Sequence, residues 1–462
     1  MSKAPHYRQL CGEAVRLFRF ALPLVIGQAA AMGMGLTDVF MAGQASVDDL
    51  AGVTLGNSIS IFVFLILGGI LFANAPLIGH HFGADDRSAL RHQFHQCLWL
   101  ALPLGLIASA SMAGGLWLVG QLGAEPQVVA IARGYMAPMI AAVFGFHLMF
   151  WLRTTLEAVS LPRAVMVVNI AGLALNIVLD YALVFGHWGL PKLGGVGCGW
   201  ATLIVVTFQV LAFALWLQRS RATQALKLFT ELARPQLKTM GNILRLGLPI
   251  SVGILFEFSF FGIIPLVIAS LGAEVVSGHS IAHQFDGLMF IVSLGIGQAL
   301  TVAISQHIGA QKPGKAWFSC QAGLLLIATI ACLQVAVYLV FPEAIAGFFN
   351  DDPTVQKIAV ELLLIAAIYR FSDAIAVGAM SALRGYKITK APMVVQFIAF
   401  WVVGFPLAYS LGMTNFWGPA MGVPGFWVGA AVALSVSALC LMAMVWQRGR
   451  QRAILGKAIK PI

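Results

Sequence analysis

A chain of 462 residues that is 60% hydrophobic and only 10% charged cannot give itself the polar exterior a soluble fold of that length needs. Its mean hydropathy of +0.88 and its 48 glycines instead suit helices packed closely in lipid. The net charge of +10 would suggest nucleic acid in a soluble protein, but the places where that charge falls favour membrane orientation.

A helix needs about 20 apolar residues to cross the hydrocarbon core. In chain order, twelve segments reach that length: 17–41, 51–78, 94–122, 129–152, 162–187, 197–218, 243–270, 280–305, 317–341, 358–382, 392–413 and 423–447. Residues 1–20 carry Lys3, Arg8, Arg16 and Arg19 and run into the first span without a cleavage signal. With the N-terminus in the cytoplasm, 24 of the 28 Lys and Arg residues fall on one side. They occupy the N-terminal segment, alternate loops and the C-terminal tail, while Arg133, Lys192 and Lys357 fall opposite and Arg370 lies within a span. This asymmetry predicts a multi-pass membrane protein with both termini cytoplasmic.

The sequence repeats itself. "LPLVIGQAAA" from Leu22 is answered by "LPISVGILFE" from Leu248, "HHFGADDRSA" from His80 by "QHIGAQKPGK" from Gln306, and "SLPRAVMVVN" from Ser160 by "KITKAPMVVQ" from Lys387. The offsets are 226, 226 and 227 residues. Six spans is an even number, so the halves share one orientation. The expected fold is therefore all-α, with two homologous six-helix bundles related by a pseudo-two-fold axis along the membrane normal. The expected division is an N-terminal lobe over 1–218, a basic cytoplasmic linker over 219–245, and a C-terminal lobe with its basic tail over 246–462.

Ionisable groups inside spans are costly and point to function. Asp38 falls in span one, Asp180 in span five, Glu257 in span seven and Asp373 in span ten. Asp286 and Glu361 lie nearer span ends, and Glu157 near the cytoplasmic end of span four. Asn169, Asn176 and Asp180, seven and four residues apart, form one stripe of a helix. Their oxygens suit Na⁺ or a proton relay facing Asp38, with Thr202 adding a hydroxyl; the alternative is that they only join helices by hydrogen bonds. The second half keeps neither aspartate: Asn169 maps to Gln396, Asp180 to about Leu407 and Asp38 to Ile264. It offers Glu257 with Tyr369 and Asp373 instead, for direct coupling or as a structural ion network. Tyr369 lies one turn from Asp373, to whose carboxylate it could donate, and its ring could face an organic cation. Arg370 has three open roles: neutralising Glu361, neutralising Asp373, or snorkelling to the surface. Phe256, Phe258, Phe260 and Phe261 flank Glu257 but mostly read as packing or lipid-facing, and Pro23, Pro249 and Pro265 can kink their spans.

The remaining chemistry is sparse. Cys11, Cys97, Cys198, Cys320, Cys332 and Cys440 are scattered without a CxxC, so neither a disulfide framework nor a metal site is expected. His80, His81, His92 and His95 read as a solvated basic loop, not as metal ligands. His147 in span four lacks an evident partner. No Walker motif, nucleophile elbow or dinucleotide fingerprint occurs, which leaves ATP-driven transport and enzymology without support.

"TDVFMAG" with Asp38, "NIVLDYALVFG" with Asn176 and Asp180, and "GVGCGWAT" at the entry to span six resemble the multidrug and toxic compound extrusion (MATE) family. Glu257 and Asp373 resemble its bacterial NorM branch. The resemblance covers almost the whole chain. It implies a secondary antiporter, not an enzyme, exporting cationic amphipathic drugs and dyes as Na⁺ or H⁺ enters. It assigns Asp38, Asn176, Asp180 and Thr202 to an N-lobe cation site, and Glu257, Tyr369 and Asp373 to a C-lobe cation or drug site. It implies no cofactor and no metal beyond a transported Na⁺. The partners expected are lipophilic cations and membrane lipids, without nucleic acid, for a monomer. The alternatives are a superfamily transporter or flippase of another solute, which should show a cationic cavity, and a membrane-embedded enzyme.

Overall fold

A computed structural model of the chain describes residues 3–121 and 123–455; the end of the basic tail, with Lys457 and Lys460, lies outside them. All regular secondary structure among the described residues is helical, and twelve helices are long and apolar enough to cross a membrane. Spans one to six are Arg8–Ala45, Val47–Gly83, Arg87–Val119, Pro126–Ala158, Pro162–Phe185 and Gly195–Arg219. Spans seven to twelve are Leu237–Leu271, Ala273–Gly309, Pro313–Val340, Pro353–Gly385, Lys390–Met413 and Val423–Gln447.

Local chemistry sets where these helices begin. Ser46 caps span two, accepting the N–H of Asp49 at 3.0 Å, and Asp86 caps span three through the N–H of Ala89 at 2.9 Å. Spans four, five, nine and ten each open on a proline, at Pro126, Pro162, Pro313 and Pro353, where the missing N–H costs nothing. Pro23 is carried inside an unbroken first helix. The eleventh span passes into π geometry over Ile398–Gly404, and Pro406 follows, unable to supply an N–H to the carbonyl of Val402.

The chain forms two compact units, one of Ile26–Ser251 and the other of residues up to Val25 together with those from Val252 on. The two cuts lie 226 residues apart, the offset of the sequence repeat. Packing within the units repeats as well. In the first, span four packs on spans two, three and six, and span five on span six. In the second, span ten packs on spans eight, nine and twelve, and span eleven on span twelve. Backbone conformation repeats too: Asp85 and Gln311 hold φ +52° and +57°, and Ser160 and Lys387 hold +64° and +60°. These left-handed residues end a helix ahead of the next span, at matching places in each half.

His95 corrects one expectation. It is buried at the start of span three, with Nε2 2.7 Å from the Leu228 carbonyl and Nδ1 accepting the N–H of Ala233 at 3.2 Å. Gln96 donates to the Arg234 carbonyl at 2.8 Å and accepts the N–H of Gln236 at 2.7 Å, and Trp99 donates to the Ala233 carbonyl at 2.8 Å. The segment after span six therefore folds onto span three, burying Leu226 and Leu228, and its backbone takes its partners from that helix.

Candidate functional site

In the unit of Ile26–Ser251, three spans converge on Asp38. Span six is fixed at its start by Asp49, whose carboxylate accepts the N–H of Gly195 at 2.7 Å. It lies so close to span four that a Cβ on Gly199 would sit 2.4 Å from the Tyr135 carbonyl oxygen. One and two turns beyond Gly195 come Cys198 and Thr202. The Thr202 hydroxyl donates to Asp38 Oδ2 at 3.1 Å, and the Cys198 thiol to the Asp38 carbonyl at 3.5 Å. From span five, Asn176 Nδ2 donates to Asp38 Oδ1 at 3.0 Å.

Asp180 lies beside Asp38, one turn beyond Asn176 and fully buried. Apart from the neighbouring Asp38 carboxyl and Cys198 thiol, no described residue donates a hydrogen bond to Asp180, and Asn176 Oδ1 has no donor. Among the described residues no Lys or Arg pairs with either aspartate. Two adjacent buried carboxyl groups without a full set of donors can receive a hard cation or a proton. Asn169 instead joins helices. It donates to the Gly27 carbonyl at 2.9 Å and accepts from Gln209 at 3.2 Å, pinning span five between spans one and six.

In the other unit, the polar residues fall into two groups. Gln396, at the position matching Asn169, donates to Glu257 Oε2 at 3.2 Å and accepts from the Ser437 hydroxyl at 2.6 Å. Arg384 and Arg370 act on Glu257 electrostatically. The second group centres on Arg370, which is wholly buried and pairs with Asp286 at 3.0 Å and with Asp373. It neither snorkels nor meets Glu361, which is exposed. Asp286 also accepts the Tyr338 hydroxyl at 2.7 Å, and the Tyr369 hydroxyl reaches the same carboxyl while its ring packs on Trp427. Among the described residues no hydrogen bond or ion pair joins Glu257 directly to Tyr369 or Asp373.

Of the phenylalanines near Glu257, Phe260 is core, Phe258 is exposed, Phe256 packs on Phe397, and Phe261 stacks on His283. The six cysteines are free, and no group of three or more His, Cys, Asp or Glu among the described residues could hold a metal ion. His147 is buried, with Nδ1 2.7 Å from the Val143 carbonyl of its own helix. The sequence alone gives no role to Cys198 or Asp49, and marks Asp286 only as nearer a span end and Gln396 only as the repeat partner of Asn169. Gln396 had a signal in its repeat partner Asn169, and Asp49 had one in the Ser-x-x-Asp cap of span two.

Twelve spans carrying buried carboxyl groups define a multi-pass membrane protein of the transporter class. The chain belongs to the MatE family, whose model matches residues 23–182 and 249–410, two stretches that begin 226 residues apart. It is 36% identical over 433 residues to the multidrug resistance protein PmpM of Pseudomonas aeruginosa, spanning 93% of this chain and 90% of that one. It is also 36% identical to the probable multidrug resistance protein NorM of Shewanella oneidensis, over 92% of this chain and 93% of that one. Among solved structures, a MATE in complex with MaL6 superposes with a TM-score of 0.86 at 21% identity, covering 98% of this chain and 99% of that one. The eukaryotic MATE transporter AtDTX14 gives 0.85 at 19% identity, over 96% and 98%. Identities this low establish the fold alone.

Proposed function

We propose that this chain is a secondary antiporter of the bacterial inner membrane, with both termini cytoplasmic. It exports cationic amphipathic drugs and dyes while Na⁺ or H⁺ enters. The observation that carries this reading is the Asp38–Asp180 pair, two buried carboxyl groups side by side, with Asn176 Oδ1 unsatisfied and no Lys or Arg among the described residues paired to either. The names of the relatives, multidrug resistance proteins, support the cargo.

Asp38, Asn176, Asp180 and Thr202 hold the coupling ion, and Glu257, Tyr369 and Asp373 serve the C-terminal lobe as its cation or drug site. A carboxylate at membrane depth must be neutralised, and a proton, Na⁺ or an organic cation can each do so. Occupation by one weakens the next. Transport follows because ion and drug favour different conformations; affinity shared equally between states would move nothing. The cycle uses no cofactor, and a single copy in lipid suffices.

The test is efflux of ethidium from proteoliposomes under an imposed Na⁺ gradient and then under a pH gradient. Export under one of the two supports the proposal and names the ion. No response to either gradient overturns it.

A further inference from the structure

We propose that Arg370 is a tethered counter-cation: Asp286 holds it permanently, and Asp373 is the carboxylate it yields to an incoming cation. This rests on the reading that Asp373 serves the cation or drug site.

Arg370 lies near the middle of span ten, fully buried, where an unpaired guanidinium is costly. One carboxylate would neutralise it, yet two are present. The trio of Arg370, Asp286 and Asp373 thus has room for one more positive charge.

The two carboxylates are held unequally. Asp286 receives Arg370 Nη1 at 3.0 Å and the Tyr338 hydroxyl at 2.7 Å, with Tyr369 turned to it as well. Arg370 Nη1 also lies 3.5 Å from the Asp286 carbonyl. For Asp373, the described residues supply Arg370 Nη2 and no hydroxyl or amide donor to the paired oxygen. Losing Asp373 therefore leaves Arg370 anchored, whereas losing Asp286 would strand it on one partner and leave two tyrosine hydroxyls without their acceptor. A guanidinium presents separate donors to two carboxylates, so it can release one while keeping the other. A cation that replaces Arg370 on Asp373 completes neutralisation of the cluster. In its absence Arg370 occupies the site itself, so the acid is never bare in the membrane.

The experiment is ethidium transport and equilibrium ethidium binding with purified, reconstituted protein. In Asp286→Asn, Arg370 has Asp373 alone and blocks it; the KM for ethidium should rise about tenfold, as expected when a buried charge pair is re-partitioned. The double variant D286N/R370Q removes holder and tether together and keeps one free carboxylate, so its KM should return to within about threefold of the parent. Arg370→Gln alone exposes both carboxylates and should bind ethidium more tightly. It carries the same decision should D286N not be recovered folded. A parental KM in D286N, a double variant as impaired as D286N, or unchanged or weaker dye binding in R370Q overturns the proposal. An Asp373→Asn protein that transports normally removes the reading beneath it instead, whatever Asp286 does.

Discussion

The carboxylate of Asp49 accepts the backbone N–H of Gly195 at 2.7 Å, and this bond sets the height at which Cys198 and Thr202 meet Asp38. An N–H in the first turn of a helix has no partner within that helix, and an anion there also meets the positive end of the helix dipole. Asp49→Ala should cost about 1–2 kcal/mol, in the range of a lost cap. It should also raise the ion concentration needed for half-maximal efflux by loosening Thr202. Asp49→Asn keeps an acceptor and should be milder in both. Melting in detergent and ion titration of efflux decide this; equal effects from Ala and Asn would contradict it.

The two aspartates and the neighbouring pin should separate cleanly. Asp38→Asn and Asp180→Asn should each lower ion-driven efflux about tenfold or more, because a neutral amide no longer needs a cation. Thr202→Val, which removes one 3.1 Å donor, should have a smaller effect in the same direction. Asn169→Ala should lower the melting temperature while leaving ion dependence near parental, because Asn169 bonds Gly27 and Gln209 and not Asp38. A shift in ion dependence for Asn169→Ala would place it in the site after all.

Gly199→Ala would press a methyl against the Tyr135 carbonyl oxygen, 2.4 Å away, and backbone cannot swing aside as a side chain can. The expected loss is about 1–3 kcal/mol, the range for overpacking. Gly114, in span three, has nothing within 4 Å of its added Cβ, so Gly114→Ala is the matched control with little expected loss. Thermal melts of the two proteins should differ by several degrees, and identical melts would count against close packing of spans four and six.

Burial pushes the Lys387 ammonium, in the turn between spans ten and eleven, down from 10.5 to about 8. The folded protein then binds fewer protons at this residue than the unfolded chain does between about pH 8 and pH 10.5. The penalty is fully present below about pH 8, and stability should rise with pH across that window. Lys387→Met removes the charge and should flatten this part of the curve. Melting from pH 7 to 10.5 tests it; parallel curves for the two proteins would refute it.

The spans and the doubling of the chain were legible because both rest on short-range properties, apolar length and repeated strings. Asn176 and Asp180 were legible together because four-residue spacing puts them on one helix face, and Asp38 because a carboxyl group inside an apolar span stands out. The same stripe carried Asn169, which bonds Gly27 and Gln209 and not Asp38, since spacing does not say which neighbouring helix each level of the stripe meets. His95 was hidden for a related reason: nothing near it in sequence shows that residues 228–236 return to cover it. Asp286 seemed a span-end residue until the eighth helix proved to start at Ala273, which carries it well inside. Its pairing with Arg370 depends on the relative rotation of spans eight and ten, which no single-helix pattern encodes.

That Arg370 and Asp373 are three residues apart on one helix also matters for how the protein is made. A nascent helix enters the bilayer before most of its eventual neighbours have docked. A lone arginine at the centre of such a helix costs about 2.5–3.5 kcal/mol on insertion scales. Span ten brings its own acid one turn away, so the pair can partition into the bilayer with its charges already matched. Asp286, made earlier on span eight, can then be met by a helix that is already seated. By this account Asp373 would serve first as an escort during biosynthesis, until span eight takes up part of the load.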